Sequence, residues 1–235
     1  MRGCLFVVLF AAAVIGAVAW FGAPLLASTV IETALQNGGF HAARSTVTAT
    51  SNPPPKLLLG HADRVEIQAT DVDFRAFHAA SLDLVLTNVD ILGRTAGRIS
   101  GEIGGTDLTT SGGATTSADV AIDGPASGAT ARIVVDGATV SRIVVAAMQS
   151  KLGGVAVTST TLIAPDILRI SAAGATVEGR LVIDASGALA LSTALGSSTI
   201  LTLDPSFPLK LTGLRVVAGN LEVDGTLDAR RLLGG

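Results

Sequence analysis

From Arg64 to its end the chain keeps returning to one pattern, an aliphatic residue at every second position. Val65, Ile67 and Ala69 alternate with Glu66, Gln68 and Thr70, and Leu82, Leu84 and Leu86 alternate with Asp83, Val85 and Thr87. Successive strand residues point to opposite faces of a sheet, so this period describes strands with one face buried and the other in water. Later runs predict strands at about Val155 to Ile163, Ile167 to Ala172, Thr176 to Ile183, Ala188 to Ala194, Thr199 to Leu203, Leu209 to Val217 and Leu221 to Ala229. Asp136-Gly137 and Asp224-Gly225 are of the kind that closes tight hairpins, and Asp123-Gly124 marks a further turn. The stretch from Gly104 to Ala131, dominated by Gly, Ser, Thr and Ala, reads as strand pieces in long loops.

Two segments follow a helical period instead. After Pro24, the residues Leu26, Val30, Ile31, Ala34 and Leu35 recur at helical spacing, with Thr29, Glu32, Thr33 and Gln36 on the other face and Asn37-Gly38-Gly39 as the stop. Ser141 to Leu152 carries an i, i+4 stripe of Val144, Met148 and Leu152, capped by Ser141 or Thr139 and ended by Gly153-Gly154. Between them Asn52-Pro53-Pro54-Pro55 forms a rigid elbow.

No charged residue stands between Arg2 and Glu32. As a helix the stretch from Gly3 to Ala23 spans roughly 30 Å, one bilayer core. Arg2 precedes the run and Arg44 follows late, a bias that keeps the N-terminus cytoplasmic and puts the rest outside. Ala17-Val18-Ala19 also fits a signal-peptide cleavage site, whereas the apolar run continuing through Trp20, Phe21, Leu25 and Leu26 suits a retained anchor. The expected organisation is an anchor or signal over residues 1–27 and a domain over residues 28–235. Cys4, the only cysteine, reads as an ordinary small residue of the span, which leaves the domain without disulfides.

Composition excludes several functions. Charged residues are 15% of the chain and the net charge is −3, which argues against a nucleic-acid binder. Tyr is absent, Trp20 is the only Trp, and after the N-terminal run only Phe40, Phe74, Phe77 and Phe207 remain, too few aromatic faces for sugar or base stacking. His41, His61 and His78 lack the spacing of zinc ligands, and no P-loop, dinucleotide or serine-hydrolase string occurs. The aspartates fall mostly in turns and strand edges. What remains is an interior of methyl and methylene groups, suited to a closed core or to a lipid chain.

Three stretches stand out: PPPKLLLGHADRVEIQATDVDFRAFHAASLDLVLTNVDI (Pro53 to Ile91), ATVSRIVVAAMQSKLGGVAV (Ala138 to Val157) and FPLKLTGLRVVAGNLEVDGTLDA (Phe207 to Ala229). In these the chain resembles the LmeA-like phospholipid-binding family of bacterial cell-envelope proteins. The resemblance implies a membrane-anchored or secreted domain that binds phospholipid. Since the local motifs offer no nucleophile–base pair, the expected function is non-catalytic and without cofactor, a hydrolase with dispersed carboxylates ranking last.

The expected fold is α+β, a mostly antiparallel, strongly curved sheet wrapped over one or two amphipathic helices as in tubular lipid-binding domains, with an N-terminal transmembrane helix. A β-sandwich with peripheral helices is the alternative. If lipid tails occupy the interior, the inward rows Val65, Ile67, Leu82, Leu84 and Leu86 line them together with Val144 and Met148, and Lys56, Arg64 or Arg75 meets the phosphate at the mouth. A ligand-free structural module of the envelope is the competing function.

Overall fold

The computed structural model describes residues 22–74, 77–109, 115–151, 157–172, 174–194, 196–201 and 209–228 of the 235-residue chain. A helix, α1 (residues 22–37), precedes six strands: β1 (Phe40–Thr50), β2 (His61–Phe74), β3 (Phe77–Asp90), β4 (Thr95–Thr109), β5 (Thr115–Pro125) and β6 (Ala129–Val135). The helix α2 (Gly137–Lys151) follows, then β7 (Val157–Ile163), β8 (Ile167–Ala172), β9 (Ala175–Ile183), β10 (Leu189–Thr193), β11 (Gly196–Leu201), β12 (Leu209–Val217) and β13 (Asn220–Leu227). A 3-10 helix, Pro54–Leu59, joins β1 to β2 at the expected proline elbow.

These strands make two antiparallel sheets, one of eight strands in the order β1-β2-β3-β4-β5-β6-β13-β12 and one of five in the order β11-β10-β9-β8-β7. The small sheet is a meander; the large one is a meander from β1 to β6 completed by the β12–β13 hairpin, and the small sheet is inserted in sequence between β6 and β12. Among the described residues β1 and β12 do not pair, so the large sheet is not a closed barrel.

Period two places the inner face as the sequence predicts. Ala69, Leu82, Ile103, Val120, Ile133 and Val223 stand side by side on six neighbouring strands, all buried. The Gly104 to Ala131 stretch differs from expectation, because apart from the short turn at residues 126–128 it belongs to β4, β5 and β6 wherever it is described. Small residues still alternate there: Ala118, Val120 and Ile122 are buried between exposed Ser117, Asp119, Ala121 and Asp123, and neighbouring strands complete the ladder. Phe40–Thr50, a stretch for which no element was expected, forms β1 against β2.

Helix α1 buries Ala23, Ala27 and Ile31, with Leu35 partly buried behind them, and leaves Leu25, Leu26 and Val30 exposed. The buried stripe is therefore rotated from the predicted one. Alanines let the helix axis approach the sheet closely, while the branched residues beside them have no partner surface and turn outward. The Ala49 N–H donates to Ser28 Oγ (3.3 Å) and Ser45 Oγ donates to Glu32 Oε1 (3.1 Å), so α1 runs antiparallel to β1.

Helix α2 starts earlier than its apolar stripe suggests. Asp136 Oδ1 accepts the Thr139 N–H at 2.9 Å, so Asp136 is the cap in place of Ser141 or Thr139, and Asp136-Gly137 opens a helix instead of closing a hairpin. Gly137 is required there, since a Cβ would lie 2.2 Å from the Gly219 carbonyl oxygen. Val140, Ile143 and Val144 are buried, and the helix packs on β7, β11 and β13. Asp224-Gly225 likewise lies inside β13, and the β12–β13 turn is made by Ala218 and Gly219, both at positive φ.

The predicted cleavage site and the predicted span as far as residue 21 lie outside the described residues, and the last residues of the expected anchor, 22–27, form the start of α1. Among the described residues no helix is long and apolar enough to cross a membrane. Helix α1 runs unbroken through the boundary expected at residues 27 and 28.

Candidate functional site

Where α1 leaves part of the inner face of β2 and β3 uncovered, a groove of about 190 Å³ opens. Ile31 and Leu35 of α1 form one wall, and Val65, Ile67 and Phe74 of β2 with Leu86 and Val89 of β3 form the other. Ile91 continues the apolar lining into the β3–β4 turn, and Asn37, Asp90, Arg94 and Thr95 supply polar groups. In that turn the Gly93 N–H donates to Asp90 Oδ1 at 2.9 Å. Arg94 follows at φ 52, a left-handed position, and has no ion-pair partner among the described residues. An apolar trench with an unpaired guanidinium at its rim can take a hydrocarbon chain and meet an anionic head group.

Of the residues expected to line a lipid site, the structure brings Val65, Ile67 and Leu86 together in this groove. Leu84 shares their face and is only half-buried, because Gly101 opposite it on β4 supplies no side chain. Leu82 is buried in the core, and Val144 is buried on α2 beneath other strands. Met148 also lies on α2, its side chain outside what the structure describes. The head-group candidates are dispersed. Arg64 is on the outer face of β2, with its Nε 2.6 Å from Glu66 Oε1, Lys56 is exposed on the 3-10 helix, and Arg75 is outside the described residues.

Sequence reasoning missed Ile31 and Leu35 as lining, Val89 and Ile91 as its continuation, and Arg94 as the rim cation. Val89 and Ile91 are out of phase with Leu82, Leu84 and Leu86, and it is Asn88, at φ 53, that turns them to the same side, so strict alternation placed them on the wrong face. Nothing in the local pattern of Leu92-Gly93-Arg94 marks the arginine.

A larger concavity of about 910 Å³ lies on the opposite, outer face of the eight-stranded sheet. One cross-strand row runs through it, Thr46, Gln68, Asp83, Glu102, Ala121 and Arg132. Charges of both signs in an open trough do not suit an acyl chain, so size alone does not select the site.

The features together define a class, a two-sheet antiparallel domain whose sheet and first helix enclose an aliphatic groove. The profile of LmeA-like phospholipid-binding proteins matches residues 18–226, most of the chain, and the chain belongs to that family. Among curated proteins and among solved structures no match is found.

Proposed function

We propose that this protein is a non-catalytic phospholipid-binding or transfer domain that seats part of an acyl chain in the groove between α1 and the β2–β3 hairpin. Residues 3–21, the part of the expected 3–27 anchor that precedes the packed helix α1, hold it at the outer face of the cytoplasmic membrane, where it serves envelope lipid maintenance. The groove carries this reading, because it joins an aliphatic trench to the unpaired Arg94 in a member of a phospholipid-binding family. Each methylene taken from water contributes about 0.8 kcal/mol, so tail contacts set affinity and Arg94 sets head-group preference. At about 190 Å³ the groove is smaller than the ~300–1,000 Å³ of pockets that enclose a whole ligand. It admits part of one chain, and the rest requires α1 to move outward.

The test is mass spectrometry of lipids that co-purify with the full chain. Wild type is expected to carry phospholipid, Leu86→Trp to lose it while melting cooperatively, and Arg94→Ala to retain it with a smaller anionic share. A wild type free of lipid makes the groove a packing defect in a closed core and leaves the structural-module reading standing.

A further inference from the structure

Five large leucines stand in water at one end of the protein. In the 3-10 helix Leu57 is buried, yet Leu58 and Leu59 are 52% and 70% exposed, and Leu92 in the β3–β4 turn is 76% exposed. The two segments touch. The Ile91 N–H donates to the Gly60 carbonyl at 2.7 Å, and Leu92 lies over Gly60 so closely that a Cβ there would come within 2.6 Å of Leu92 Cγ. Leu58, Leu59 and Leu92 therefore belong to one projecting patch. The antiparallel course of α1 along β1 aims the first turn of that helix at the Thr50 end, from which the 3-10 helix departs. Leu25 and Leu26, 73% and 61% exposed, sit on that turn. Lys56, exposed and near enough to Asp63 to help lower that carboxyl's pKa, and Arg94, exposed and without an ion pair among the described residues, flank the patch.

We propose that this end is a membrane-docking tip, in which Leu58, Leu59 and Leu92 insert into the interfacial layer of an anionic bilayer while Lys56 and Arg94 meet its phosphates. Two observations select a bilayer as the occupant. The uncharged sequence from Gly3 to Phe21 joins α1 at this end, so whatever holds that run in lipid brings the leucines to the same surface. Apolar residues flanked by cations are the chemistry that anionic interfaces bind. Docking in this pose also brings the groove rim at Asp90 to Thr95 to the lipid surface, so a chain passes between bilayer and groove without crossing water. The inference deepens the proposed function through its membrane tether but does not require the groove to be filled.

The experiment uses the full chain with Cys4→Ser, and Leu59→Cys or Leu92→Cys carrying a polarity-sensitive fluorophore, in phosphatidylcholine–phosphatidylglycerol vesicles containing doxyl-labelled lipid. Ser186→Cys, in the β9–β10 turn, is the control. The expected result is blue-shifted emission and doxyl quenching at positions 59 and 92 and neither at 186, with both signals reduced when Lys56→Gln and Arg94→Gln are added. Water-like emission without quenching at 59 and 92 overturns the tip. A blue shift without quenching that depends on protein concentration also overturns it, by assigning the patch to a second copy. Quenched tip probes in a protein that carries no lipid would sink the groove and keep the tip, and lipid carried by a protein with unquenched probes would do the reverse.

Discussion

His78 stands where β3 leaves its hairpin with β2. Its Nδ1 is 2.9 Å from Asp73 Oδ1, and its Nε2 is 3.6 Å from Asp71 Oδ1. The hydrogen bond to Asp73 is the main influence raising its pKa above the ordinary imidazole value, and attraction from Asp73, Asp107 and Asp71 adds to it against desolvation. A raised pKa means the folded state holds the proton more tightly. The stabilisation is therefore complete below about pH 6.5 and is lost as pH rises through the folded value. The site is exposed and salt-screened, so the effect is local to the hairpin. An NMR titration of the His78 ring is expected to give a midpoint above the ordinary one, with Asp73→Asn moving it back down. Equal midpoints in the two proteins would show that the contact does not form in solution. The Arg64–Glu66 pair, by contrast, was legible from spacing, since residues two apart on a strand share a face.

Helix α1 is held to the sheet mainly by small residues. Ala23 and Ala27 bury a methyl group each, and of the fully buried stripe only Ile31 contributes the roughly 1.5–3 kcal/mol of a large aliphatic side chain. Such an element opens locally at lower cost than the long strands beneath it. In lipid-free protein the amides of residues 22–37 are expected to exchange faster than those of His61–Phe74 and Phe77–Asp90, and phospholipid should slow α1 selectively. Exchange in α1 as slow as in β2 without lipid would mean that it is not a movable wall. This weak packing also explains what the sequence left unread. Ile167–Ala172 and Leu209–Val217 form over the predicted spans because period two needs only local sterics and one apolar surface. The inward face of α1 depends on how closely a distant sheet approaches, so a stripe of larger residues misled the reading toward Leu26 and Val30. The aspartate-glycine pairs misled it for a similar reason. The dipeptide fits a turn, a helix cap and the floor beneath a neighbour, and only the partners distinguish them: Thr139 for Asp136, Leu209 over Gly225. Half of the groove was legible because β2 and β3 carry their own pattern, while the α1 wall and Arg94 arise from docking.

The proposed anchor, tip and groove imply one orientation. With Arg2 the only charge before Glu32, the N-terminus is expected inside and the domain outside. A reporter enzyme active only in the cytoplasm, fused after Gly235, should be silent, and full activity would overturn the localisation. The sheet order has a consequence for how the protein is made. Every pairing in the two sheets joins strands adjacent in sequence except one, β6 with β13, where Val135 meets Leu221. At ~5–20 residues synthesised per second, β6 waits about 4–17 s for its partner, its edge open while the whole of the smaller sheet emerges. The edge of β6 then offers a template to any other copy at the same stage, so two nascent chains on neighbouring ribosomes could trade C-terminal hairpins. The smaller sheet, whatever else it does, sets the length of that window.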